Sequence, residues 1–491
     1  MKRLFLHIVL IFSVLSCKDN DDNISKNDHS SNVDLAIKDF IWKGLNQYYL
    51  WQTDVPDLAD DKFASSVAKT NLSNPKYVHF LNSVSDNELF FYKLLHKPSK
   101  LFNSGYVDRF SYIVDDYREL EESKQGVVFS SGMSFLLSRY GNQNGVLGVV
   151  RYVLPNSEAE QKGVTRGDIF LSVDGTPLNI NNYERLLFND KTSMTIDINR
   201  LQNQTIVPLN KTISMVKSKI VENPILIKKV IVRNQKKIGY LMYNGFVANF
   251  DKELNNVFAE FKSEGVTDLI LDLRYNGGGR VSSAVHLSSM ILGSQLSGKL
   301  FAKERWNHKI QAYVEKRQGT DDFLTSTMIT DQNESIGINH LNMSKIYVLT
   351  SERTASASEL VINGLKPYIE VIQIGTRTTG KNVGSITIYD EDNKGTRNPR
   401  HRWAMQPLTL KIENANGFGD YTDGLVPTYL MEEDLSNMGE LGDENEPLLA
   451  QAIRVIVGGI SDKHFPPKAK MPVSPIADSK TFNLGMNGMY K

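Results

Sequence analysis

One cysteine, Cys17, stands in 491 residues, which excludes an intramolecular disulfide and any zinc or iron–sulfur site built from several thiolates. Net charge is missing too. With 56 Lys and Arg against 56 Asp and Glu, the chain has no large basic field with which to recruit nucleic acid. Long apolar runs are also missing: Leu4 to Val14, broken by His7 and Ser13, is far short of the ~20 residues a membrane-spanning helix takes, and no later segment is long enough either. Core material is ample. A 41% apolar and 23% charged composition excludes wholesale disorder, and the length suits two to four domains of ~100–200 residues.

Met1-Lys2-Arg3, the apolar stretch after it and Ser16 before Cys17 have the order of an export signal over residues 1–16. Val14-Leu15-Ser16-Cys17 resembles the lipobox of bacterial lipoproteins, which implies cleavage before Cys17 and lipidation of its thiol. Residues 17–32 then read as the lipidated cysteine and a flexible tether, too polar to offset their own ordering entropy. Lys18-Asp19 and the acids behind them resemble the surface-export signal of some Bacteroidetes lipoproteins. The expected location is the bacterial cell envelope, as an outer-membrane lipoprotein facing the periplasm or the surface.

Four regions follow. Residues 33–120 are expected to be helical, since Ile37, Phe40, Ile41, Leu45 and Tyr48 recur at helical spacing, and nothing in them suggests chemistry. Residues 121–211 mix β-rich segments with helices near Glu158–Lys162 and Tyr183–Phe188. Residues 212–460 alternate strands and helices as an α/β domain. Residues 461–491, with Pro466, Pro467, Pro472 and Pro475, lack periodicity and read as a loose C-terminal tail. Within the second region, Val153 to Ala159, Gly163, Arg166-Gly167-Asp168-Ile169-Phe170 and Val173-Asp174-Gly175 resemble a PDZ domain. That resemblance makes Gly132, Met133, Ser134 and Phe135 the loop that holds a peptide's C-terminus.

Three stretches of the α/β region carry chemistry. Thr267–Arg280 is a strand, then Asn276 and Gly277-Gly278-Gly279, then a helix from Val281. Such a turn exposes amides able to hold an oxyanion, although a tight structural turn needs glycines as well. Ser356 falls where the strand Ile346–Thr350 gives way to the helical run Leu360–Leu365, in the positive field of a helix N-terminus. Alternatively, Ser356 or Ser358 only caps that helix, with Glu359 completing a capping box. Gly375 to Asn382 nearly matches a phosphate-binding loop. Asn382 replaces the hydroxyl such a loop needs, and a β-rich run replaces its helix, so a nucleotide site is rejected. What is left is Lys381 at a strand entrance, where burial can lower its pKa and make it a base.

Asp272-Leu273-Arg274-Tyr275-Asn276-Gly277-Gly278-Gly279, Thr354-Ala355-Ser356-Ala357-Ser358-Glu359 and a lysine 25 residues after Ser356 together resemble the S41 family of carboxyl-terminal processing peptidases. Gly419 to Pro427 is similar to that family's closing strand. The resemblance implies a multidomain α/β protein: a helical N-terminal region, a PDZ-like module and a ClpP/crotonase-like α/β protease core. It further implies Ser356 as nucleophile, Lys381 as base, and Gly277 or Gly278 with Ala357 as oxyanion hole, with no cofactor or metal. Glu359 either orients the pair or caps the helix. The expected partners are polypeptides captured through their C-termini, and a membrane through the lipid. Two departures stand out, Ser385 where some members have a glutamine and Pro367 where many have an aspartate. The alternatives are a catalytically inactive peptide-binding lipoprotein and an acyl-CoA enzyme of crotonase type.

Overall fold

The structure, a computed structural model, describes residues 26–63, 72–141, 144–189, 191–202, 204–318, 322–326, 328–331, 334–459, 473–481 and 489–490. The export signal, Cys17 and the tether as far as residue 25 lie outside the described residues.

The centre of the molecule is a six-stranded sheet in the order Ile225–Arg233, Lys236–Tyr243, Asp268–Asp272, Lys345–Thr350, Glu370–Gly375, Tyr429–Leu430. The first pair is antiparallel and the rest are parallel. Parallel neighbours need long crossovers, and the helices Asp251–Ser263, Val281–Ile291 and Ala357–Leu365 provide them. Leu254, Val257, Phe258 and Phe261 bury one face of the first, while Leu269, Ile270 and Leu271 in the adjacent strand are wholly enclosed. Asp272 pairs with Leu349, so the loops leaving the carboxyl ends of these two strands start side by side. That adjacency joins the glycine turn to the serine corner. An antiparallel sheet, Asp322–Leu324, Leu300–Trp306, Leu408–Asn414, Val383–Ser385, delivers the segment after Lys381.

A smaller mixed module has its own sheet, with Met133–Tyr140, Val146–Val153, Ile169–Phe170 and Ser193–Gln202 among its strands, and the short helices Glu158–Gln161 and Tyr183–Leu187. Phe135, Leu137, Phe170 and Ile196 fill its core. Its limits differ from those expected. Val127–Ser130 pairs with Ser218–Val221 outside the module's sheet, whereas Thr205–Val216 pairs with Ser193–Gln202 inside it. The module therefore runs to Val216, past the expected boundary at 211, because this long hairpin carries the chain across it.

Three further expectations are corrected. The first helix, Lys26–Tyr48, starts within the expected tether, since no Gly or Pro stands between residues 26 and 32 to stop it. The N-terminal region is not helical throughout. Tyr112–Val114 pairs with Ala404–Gln406, and Ile388 and Met405 sit in one apolar cluster with Phe40, Ile41 and Leu45. Gly419–Pro427 forms no strand, because Gly424 takes φ +87° and Pro427 has no N–H to donate; the strand comes just after, at Tyr429–Leu430.

The described parts of the expected loose tail are also ordered by partners. Val473–Asp478 pairs antiparallel with Met133–Tyr140, and Met489 and Tyr490 are 0% and 4% exposed. A single strand added to an open sheet edge finds its hydrogen bonds there and needs no periodicity of its own.

Candidate active site

The serine corner is stitched to the glycine turn by polar contacts. Thr354 Oγ1 donates to Leu273 O at 2.8 Å, Ala355 N to Asn276 O at 3.1 Å, and Ser358 Oγ to the same oxygen at 3.0 Å. Ser358 is thereby spent on the turn. Ser356 precedes the helix Ala357–Leu365 with φ +64°, a left-handed conformation that costs a non-glycine residue ~1–3 kcal/mol and persists only where the surroundings enforce it. Its hydroxyl is buried and has no hydrogen-bond partner among the described residues. Gly278 packs against it at φ +109°, where a Cβ would come within 2.7 Å of Ser356 Cβ. Only glycine permits that approach.

Glu359 holds the centre. Its Oε2 accepts from the amides of Ser356 and of Lys381, both at 2.8 Å, and its Oε1 accepts from Gly380 N at 2.7 Å and from the Thr378 hydroxyl. The serine and lysine backbones are therefore no farther apart than two hydrogen bonds placed end to end. Glu359 is 0% exposed; burial pushes its carboxyl pKa up, and the four donors pull against that shift. The acid caps the helix and fixes the lysine loop with one carboxylate.

Lys381 is 4% exposed, and burial lowers its pKa to about 8, against the pull of Asp108 and Glu359 and with the help of Arg109. Its Nζ lies 4.7 Å from the centre of the Phe110 ring. Asp108, Arg109 and Phe110 come from the N-terminal region, from which sequence reasoning expected no chemistry. Arg109 donates to Gly380 O at 2.6 Å and Thr422 O at 3.0 Å, which clamps the lysine loop. Asp108 is fixed by the Tyr49 hydroxyl at 2.8 Å and by the amide and hydroxyl of Ser111. No periodicity marks this loop, and its link to Lys381 exists only in the fold.

The structure thus brings Ser356, Glu359, Lys381, Gly277, Gly278 and Ala357 together. Gly278 N donates to Asn276 Oδ1 at 2.9 Å, so its amide is engaged as the site stands. Ala357 N opens a helix and has no acceptor within it. Behind the turn, Arg274 is 0% exposed and meets Asp272 at 2.8 Å, Glu446 at 2.7 Å and Glu433 at 3.1 Å. Gly132, Met133, Ser134 and Phe135 lie on the smaller module, where Gly132 takes φ +89° and Phe135 N donates to Ser479 Oγ at 3.1 Å. Ser385, at the position of the missing glutamine, donates its hydroxyl to Met489 O at 3.1 Å.

Comparison with known proteins points one way. The description "Peptidase family S41" matches residues 237–413, and "Peptidase S41 N-terminal domain" matches residues 36–112. A carboxyl-terminal-processing protease of Picosynechococcus sp. is 24% identical over 309 residues, 59% of this chain and 66% of that protein. A protein of the same name from Synechocystis sp. is 22% identical over 356 residues, 71% of this chain and 73% of its own. The crystal structure of a Bacteroides fragilis protein described as an S41 protease superposes with a TM-score of 0.63 at 26% identity, covering 86% of this chain and 97% of that one.

Proposed function

The chain belongs to peptidase family S41, a family of serine-type peptidases, and from that premise we propose that it cuts polypeptides with a Ser356–Lys381 dyad after a PDZ-like module has captured their C-termini. The observation that carries this reading is the Glu359 carboxylate, which binds the amides of both dyad residues. Lys381, neutral in a growing fraction of molecules as pH passes about 8, takes the proton of Ser356 Oγ. The oxygen attacks the scissile carbonyl, and the oxyanion turns towards the Ala357 amide and the glycine turn, where each donor contributes ~2.7–4 kcal/mol. Lys381 returns the proton to the leaving amine, and water then releases the acyl group. Glu359 is a positioning residue, since its bonds go to backbone and not to the reacting atoms. The lipobox-like Cys17 supports a membrane-anchored place in the envelope.

Burial of the Ser356 hydroxyl favours one other reading, a protein that binds peptides without cutting them. Incubation with an unfolded protein, followed by mass spectrometry, separates the two. Cleavage that falls at least ~1,000-fold in both Ser356→Ala and Lys381→Ala supports the dyad; peptide retention with no cleavage by the unaltered chain supports the binding protein. Digestion of intact cells by a non-permeant protease tests the location, with loss of the protein expected only if it faces the surface.

A further inference from the structure

Val473–Asp478 lies on the outer edge of the strand Met133–Tyr140, and it runs antiparallel to it with Asp478 opposite Leu136 and Val473 opposite Tyr140. A peptide added to this edge to place its C-terminus at the Gly132–Phe135 loop has that polarity. The end of the segment reaches the loop itself: Ser479 N donates to Phe135 O at 2.9 Å, and Phe135 N donates to Ser479 Oγ at 3.1 Å. Ala477, 2% exposed, enters the apolar cluster that also contains Phe135, Leu137, Leu186 and Leu187.

Asp478 supplies the charge. Its Oδ2 lies 3.4 Å from Arg151 of the module and 3.3 Å from Arg353, three residues before Ser356. One carboxylate thus bridges the module and the serine corner. Farther on, Tyr490 N donates to Gly279 O at 3.2 Å, Val281 N to Tyr490 O at 3.0 Å and Ser385 N to Met489 O at 3.0 Å. This extended dipeptide uses backbone groups of the glycine turn and of the strand that follows Lys381.

We infer that residues 473–479 are a resident pseudo-ligand of the module's groove, seated in cis where a polypeptide substrate docks, and that a substrate's terminal carboxylate displaces them by taking over Arg151 and Arg353. The inference rests on the peptidase reading above and adds a substrate requirement to it, a free carboxylate after a small apolar residue. Several features suit the segment to exchange. Pro475 gives the ladder no N–H, the register slips between Pro475 and Ala477, and only Ala477 is buried in the module's apolar cluster, with Ile476 partly buried against it. Departure of Asp478 would take its carboxylate from Arg151 and Arg353, a cost that an incoming carboxylate removes.

Arg139 and Ser474 are paired in the register and both exposed, so the test is a reversible lock, Arg139→Cys with Ser474→Cys in a Cys17→Ser chain, read oxidised and reduced. The probe is a fluorescein-labelled Val-Ser-Pro-Ile-Ala peptide with either a free carboxylate or a C-terminal amide. The reduced protein is expected to bind the acid at least tenfold more tightly than the amide, and oxidation is expected to weaken acid binding at least tenfold. Failure of the disulfide to form, equal binding in both redox states, or no binding by the reduced protein would each overturn the inference. Cleavage of an unfolded protein, followed in parallel with Ser356→Ala as control, reports on the peptidase reading separately: reduced protein that binds the peptide but cuts nothing sinks that reading and leaves the groove assignment standing.

Discussion

Two buried acid clusters sit near the carboxyl ends of the same parallel strands, and they meet the cost of burial in opposite ways. Around Arg274 the solution is countercharge: Asp272, Glu446 and Glu433 surround one guanidinium, and Arg166 of the smaller module joins at 2.7 Å from Glu433. Burial alone would raise the Glu433 pKa, yet Arg166 and Arg274 hold it down at about 2. Around Glu359 the solution is backbone. Three amides and a hydroxyl solvate the carboxylate, and its pKa stays raised. Countercharge keeps Glu433 ionised, although burial still raises the Asp272 pKa against the pull of Arg274. A carboxylate cradled by amides gathers the Ser356 corner and the Lys381 loop around one point, and its charge opposes the burial that lowers the Lys381 pKa.

The contrast breaks most easily in the countercharged cluster. Arg274→Met leaves Asp272 and Glu446 buried without their cation and is expected to cost ~3–5 kcal/mol in urea unfolding, whereas replacing all three by apolar residues should cost less. A loss under ~1 kcal/mol for Arg274→Met would erase the distinction. Glu359→Gln keeps the volume but turns an amide's donors towards backbone donors. An expected cost of ~1–3 kcal/mol should come with a fall in kcat greater than tenfold and little change in KM, which steady-state kinetics would check.

The lysine sharpens the comparison through pH. Cleavage should rise about tenfold per unit below about 8 and level off above it, and Phe110→Ala, by letting water reach the ammonium, should move that midpoint upward. Stability carries the same sign. The folded pKa lies below the ordinary 10.5, so the unfolded chain holds more protons between those values and stability should increase with pH across that window. The smallest effect belongs to an exposed pair, Lys43 with Asp39 at 2.7 Å, where Lys43→Ala is expected to change stability by no more than ~0.5 kcal/mol in the same unfolding assay.

Much of this arrangement was legible in the chain. The alternation of strands and helices over residues 212–460 disclosed the α/β core, and the change from strand to glycine-rich turn disclosed the residues around Asn276. The pairing of Ser356 with Lys381 came from the resemblance to the S41 family, whose lysine stands 25 residues after its serine. Glu359 was legible as a cap; its reach to Gly380 and Lys381 was not, since no local pattern tells which distant amides face a side chain. Asp108, Arg109 and Phe110 were invisible for the same reason. Residues 473–481 and 489–490 were misread because a segment that borrows its hydrogen bonds from an edge elsewhere leaves no rhythm of its own.

The Arg109 clamp has a consequence for how the protein is made. Its guanidinium closes on Thr422 O, 313 residues later in the chain, and Gly44 packs so tightly on Met405 that a Cβ there would lie 1.9 Å from the thioether's terminal methyl. A nascent chain therefore carries its serine out of the ribosome well before the parts that shape the lysine loop can close around it. The serine corner and the lysine loop thus reach the arrangement seen in the fold only once residues far apart in the sequence have met.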